Sequence, residues 1–120
     1  MKKEVKLNRA DRAYDRSREY GLARKNNPEF RIKQYIYRAN KKNISFELNL
    51  DEFIKLTNSS CYYCGVSIEE ERIGIDRFNN DQGYISNNVV SCCYYCNIMK
   101  NNMTVQQFIN KINRIHDHFN

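Results

Sequence analysis

The sequence predicts an α+β fold: a small ββα unit stapled by cysteines, preceded by a helix-strand-helix segment and a basic N-terminal arm. Three observations predict it. Cys61-Tyr62-Tyr63-Cys64-Gly65 and Cys93-Tyr94-Tyr95-Cys96-Asn97 set two CxxC pairs at the ends of a 36-residue segment. Between them, the apolar runs Ile73-Gly74-Ile75 and Val89-Val90 are separated by the turn formers Asn79-Asn80-Asp81-Gln82-Gly83. On both sides of that segment, apolar residues recur at helical spacing.

Taken in order, residues 1–30 form a polar arm with closely mixed charges, read as partly helical as far as Gly21, and Asn26-Asn27-Pro28 breaks the chain after it. Residues 31–42 predict a helix with Ile32, Tyr35, Ile36 and Ala39 on its apolar face. Ile44, Phe46 and Leu48 alternate with Ser45 and Glu47, the pattern of a short strand. Asn49 and Glu52 have the spacing of a capping box, and Leu50, Phe53, Ile54 and Thr57 line the helix that follows. The stretch 72–78 predicts a strand, Val89-Val90 a second, and a helix begins near Cys93 or Tyr94 and runs through Lys100. Thr104 and Gln107 form another capping box, opening a helix whose packing face would carry Val105, Phe108, Ile109, Ile112, Ile115 or His116, and Phe119.

The chain has 120 residues, 41% of them hydrophobic, and a net charge of +6. This length suits one domain, read as residues 31–120 behind the arm at 1–30. A core of this size is modest, so a metal staple would add needed stability. The charge is uneven. Residues 1–30 carry nine Lys/Arg against five Asp/Glu and residues 31–60 carry six against three, whereas 61–100 carry three against five. The basic footprint for an anionic partner therefore lies in the N-terminal half. No apolar run approaches a membrane span, and the basic N-terminus lacks a signal-peptide core. The expectation is an intracellular, reducing compartment without membrane association.

Five cysteines, four of them in CxxC pairs, fit metal binding better than a disulfide framework. Cys61, Cys64, Cys93 and Cys96 are the predicted ligands of one zinc ion. Four protein ligands fill its coordination, so this zinc would be structural. Cys92 competes with Cys93, but the two-residue spacer selects Cys93 and leaves Cys92 as a small buried hydrophobe. His116 and His118 are read as surface or packing residues.

The order CxYCG, a strand with an Asp, Gly83-Tyr84, Asn88-Val89-Val90, and CxxCN with Lys100 three beyond the Asn resembles the HNH endonuclease superfamily, closest to its phage and large-virus branch. The resemblance covers roughly residues 31–115 and makes 31–120 an HNH-like zinc domain. It implies a metal-dependent endonuclease that hydrolyses phosphodiester bonds in DNA. By residue, it implies that Asp76 and Asn97 hold a Mg²⁺ or Mn²⁺ ion and that Asn88 is the mid-motif Asn. Asp76, Arg77, Asn88 and Asn97 are thus the candidate catalytic residues. Arg77 stands where the family has its general-base His. Arginine does not give up its proton in proteins, so Arg77 would instead neutralise a phosphate. Tyr84, Tyr94 or Tyr95 could substitute as base. Arg31, Lys33, Arg38, Lys41, Lys42, Arg77 and Lys100 are the candidate nucleic-acid contacts. The alternative is a catalytically inactive module that binds structural RNA within a ribonucleoprotein such as a ribosome, with tyrosines stacking on unpaired bases.

Overall fold

A computed structural model of the chain describes residues 26–120. The arm expected at residues 1–30 lies outside them apart from its last five positions. The described order is helix α1 (Pro28–Lys41), helix α2 (Leu50–Thr57), strand β1 (Ile73–Arg77), strand β2 (Val89–Cys93), helix α3 (Tyr94–Lys100) and helix α4 (Val105–Phe119). This is the α+β class expected.

The helix ends are written in the local sequence. Asn27 caps α1 by accepting from the backbone of Glu29 and Phe30, and Pro28 follows at the first helical position, where no N–H is missed. The Asn-Asn-Pro break is thus the start of a helix. Both anticipated capping boxes form, Asn49 with Glu52 at α2 and Thr104 with Gln107 at α4. Cys93 ends β2 and caps α3, so one residue turns the chain from strand to helix.

β1 and β2 pair antiparallel, with Gly74 opposite Cys92, Ile75 opposite Ser91 and Asp76 opposite Val90. Two apolar clusters flank this ribbon. Ile73, the buried cysteines and Phe108 of α4 form one; Ile75, Val89, Phe53 of α2 and Ile32 of α1 form the other. A two-stranded ribbon is marginal alone, so its stability comes from these two packings.

Two expectations change. The stretch around Phe46 makes one parallel bridge to Tyr84 instead of a strand. Its alternation holds, with Leu48 buried, but among the described residues the backbone that pairs with it is the short Gly83-Tyr84 segment. In α4 the apolar stripe is only partly used. Phe108 is buried, yet Ile115 is 47% exposed and Phe119 is 81% exposed. A 15-residue helix is about 22 Å long, and the cysteine cluster underlies only its first turns.

Candidate metal centre and nucleic-acid cleft

The first CxxC pair sits on a loop fastened to β2. Tyr62 N donates to Ser91 O, Ser91 Oγ donates to Ser60 O, and Cys61 N donates to Val66 O. Gly65 closes the knuckle at φ +77°, a conformation L side chains resist. The second pair rides the turn from β2 into α3, where Cys96 N donates to Cys93 Sγ. The sulfurs of Cys61, Cys64, Cys93 and Cys96 all lie within 4.8 Å of one another, and Cys64 Sγ is 3.8 Å from Cys93 Sγ. Four sulfurs on a tetrahedron at a Zn–S distance of ~2.3 Å stand about 3.8 Å apart, so the cluster fits zinc. Cys92 is buried outside the quartet, and burial, reinforced by the charge of Asp76, pushes its thiol up. It stays a neutral core residue.

Beside this cluster, α1 and the ββα ribbon enclose a cavity of about 290 Å³. Asp76, Arg77 and Asn97 line it together with Arg38 and Lys42 of the α1 end. A second cavity of about 280 Å³ shares Tyr35, Arg38 and Asn97 with the first and adds Arg31, Arg72 and Tyr94. Together they form a cleft whose walls carry five cationic side chains and one carboxylate. The α1 periodicity explains the selection. Arg31, Tyr35, Arg38 and Lys42 recur at steps of four, three and four and share one side. Lys33 lies in neither cavity; it lines a separate groove with Phe30, Gln34, Tyr37 and the shared Arg38, and the Lys41 ammonium sits 4.8 Å from the Tyr37 ring. The seven candidate contacts are therefore not one surface.

Asp76 is buried at 8% exposure, and two side chains among the described residues meet at one of its oxygens. Tyr63 Oη donates to Asp76 Oδ2 at 2.8 Å, and Lys100 Nζ stands 3.1 Å from the same atom. Lys100 Nζ also donates to Arg77 O. This corrects one expectation: Lys100 does not face a partner. It is fully buried, because its four-carbon stem carries the ammonium inward to a carboxylate that would otherwise lack a counter-charge. Tyr63 stays protonated, since burial and then its bond to Asp76 push its hydroxyl up.

Arg77 holds the loop after β1, donating from Nη1 to Asn80 O and Gln82 O, with its guanidinium 5.5 Å from the Tyr84 ring. Asn88 spans the turn between β1 and β2. Its Oδ1 accepts from Asn79 N, and its Nδ2 donates to Asn79 O and Gly83 O. It is buried, lines neither cavity and braces the β1–β2 turn. Arg31 has a divided role, donating from Nη2 to Ile73 O at 2.7 Å while lining the second cavity. Asn97 is exposed within the cleft.

Of the tyrosines considered as bases, Tyr84 lines the first cavity, but burial pushes its hydroxyl up against the opposing pull of Arg77. Tyr94 borders the second, and Tyr95 borders neither. Tyr35, which periodicity marks only as core-facing, borders both, and its hydroxyl accepts from Ile75 N. The signal that could have found it is the glycine at position 74, which opens room on β1 for an opposing side chain.

The chain shares its fold with the HNH restriction endonuclease PacI, with a TM-score of 0.54 and 23% identity over 63% of this chain and 67% of that one. The fold is HNH. PacI is described as a rare cutter that perturbs DNA. The chain is also 46% identical over 71 residues to an uncharacterized protein of Acanthamoeba polyphaga mimivirus. That match spans 59% of this chain and 13% of the viral protein, so the chain corresponds to a small part of it. No family model matches the chain. Among the described residues, no helix is long and apolar enough to cross a membrane.

Proposed function

We propose that this chain grips nucleic acid in the cleft beside α1 and hydrolyses its phosphodiester backbone as a metal-dependent endonuclease acting on DNA. The observation that carries the reading is the convergence of Asp76, Arg77 and Asn97 with Arg38 and Lys42 on one cavity. Asp76 and Asn97 are the residues that would hold Mg²⁺ or Mn²⁺. Two oxygen ligands suit such an ion, because water and substrate phosphate complete its shell. When bound, it polarises the phosphoryl oxygen and makes its water a stronger nucleophile.

The chain's own side chains supply the rest. Arg38 and Lys42 neutralise the phosphate that enters, and Arg31 and Arg72 extend the cationic track. The Arg77 guanidinium steadies charge that develops on the phosphoryl group. Tyr94, largely exposed at the cleft edge, offers a ring on which a base can stack. Tyr35 borders both cavities, so its hydroxyl is the cleft group to test by removal.

The test is incubation of the zinc-loaded protein with supercoiled DNA, single-stranded DNA and structured RNA in Mg²⁺ or Mn²⁺. Asp76→Ala, Asn97→Ala and Tyr35→Phe variants run beside it. DNA cleavage by the wild type, lost in Asp76→Ala, supports the reading. A second reading is favoured by Arg77 at the base position and by its bonds into the loop: an inactive module that binds structural RNA inside a ribonucleoprotein. Salt-sensitive RNA binding without cleavage of any substrate would establish that reading and sink the first.

A further inference from the structure

The cysteine cluster and the cleft meet at one carboxylate oxygen. Tyr63 lies between the ligands Cys61 and Cys64, and its hydroxyl reaches Asp76 Oδ2 at 2.8 Å. Lys100 ends α3, the helix that Cys93 caps and that carries Cys96, and its ammonium reaches the same oxygen at 3.1 Å. Each CxxC arm thus sends one side chain to Oδ2. The Tyr63 ring is itself held edge-on by Phe108 at 5.4 Å and by Tyr62 at 5.2 Å, which fixes where its hydroxyl points. Lys100 is fully buried, so no solvent competes for its ammonium.

We propose that Tyr63 and Lys100 are positioning residues that tie down Asp76 Oδ2, so that the zinc-held arms aim Oδ1 at the cleft as the first ligand of a divalent cation. This rests on the reading of Asp76 as a cation ligand. Side chains that orient a metal ligand from behind set affinity as well as geometry. A carboxylate free to rotate would offer its two oxygens to Lys100, Tyr63 and the cation interchangeably, and the cation would lose the pre-set ligand. The zinc would then do more than staple the fold, because both arms that it joins carry a restraint on the catalytic carboxylate.

The experiment is a Mn²⁺ titration followed by electron paramagnetic resonance on zinc-loaded wild type, Tyr63→Phe, Lys100→Met and Asp76→Asn, with zinc content and thermal unfolding measured on each. Tyr63→Phe keeps the ring and its packing and removes only the hydroxyl. It is expected to keep one zinc and stay folded, with a melting temperature lower by several degrees at most, while binding Mn²⁺ about 10-fold more weakly. A merely structural tyrosine would leave that affinity alone. Wild-type affinity in Tyr63→Phe, with binding lost in Asp76→Asn, overturns the proposal and leaves the cation reading standing. Equal Mn²⁺ binding in Asp76→Asn and wild type overturns both. Should Lys100→Met not fold, Tyr63→Phe decides alone.

Discussion

The hydroxyl of Tyr35 fills the space that a side chain at position 74 would need. Even a Cβ on Gly74 would stand closer to that oxygen than real contacts allow, and the next nearest atoms are another Tyr35 carbon and Cys92 O. Gly74 lies mid-strand opposite Cys92, where glycine is otherwise a poor choice. Its absence of a side chain is what lets α1 close over β1 and form the cleft.

Gly74→Ala is therefore expected to push Tyr35 off Ile75 N and loosen α1. Overpacking of this kind costs ~1–3 kcal/mol. Thermal unfolding should show a melting temperature lower by several degrees, about 4–8 °C per kcal/mol for a domain of this size. An unchanged melting temperature would mean that Tyr35 has room to move that the fold does not suggest.

The two adjacent cysteines should separate cleanly. Cys93→Ser removes a ligand, and with it zinc and the folded ββα unit, since a structural zinc site supplies folding free energy directly. Cys92→Ala should keep one zinc per chain and lose only the contacts of a small buried group, about 1–2 kcal/mol. Zinc content read beside circular dichroism distinguishes them. Zinc loss in Cys92→Ala would overturn the ligand assignment.

Asn88 and Asn97 are expected to fail in different ways. Asn88→Ala deletes three hydrogen bonds to the 79–83 turn and strands buried backbone groups, costing ~2–4 kcal/mol. Asn97→Ala sits on an exposed helical position and should change stability by less than about 0.5 kcal/mol. Cleavage should be lost in Asn97→Ala at full stability. Urea unfolding and a plasmid-nicking assay on both variants test the pair.

Charge removal should separate the cations of α1 that line the cleft from one that does not. Arg38→Ala lies in both cavities and is expected to weaken nucleic-acid binding and reduce the salt-dependence slope by about 1. Lys33→Ala, which lines neither cavity, should leave that slope unchanged. Fluorescence anisotropy over a series of salt concentrations reads both. Equal effects would mean that the anion is bound by overall charge and not by the cleft.

Much of the fold was legible because its signals are local. Two capping boxes, the CxxC spacing and the periodicity of α1 each depend on residues within a few positions of one another, and each formed as read. The selection of Cys93 over Cys92 was also local, since adjacent residues at the end of a strand point to opposite sides. The misreadings were about partners. An alternating stretch at 44–48 says nothing of whether a second strand is available, and the apolar stripe of α4 says nothing of how far the core beneath it extends.

The candidate site divides along the same line. The sequence alone determined which atoms are present: four thiolates at a spacing that suits zinc, one carboxylate in the ribbon, an arginine where a base would stand, and an excess of cations before residue 60. Tertiary structure decided what each of them touches. It buried Lys100 against Asp76, committed Asn88 to a turn, turned Arg31, Arg38 and Lys42 toward the cleft, left Lys33 outside it, and brought Tyr35 to Ile75 N from 40 positions off. A long side chain's charge can be read from its residue type, but where that charge goes depends on which buried group most needs a partner.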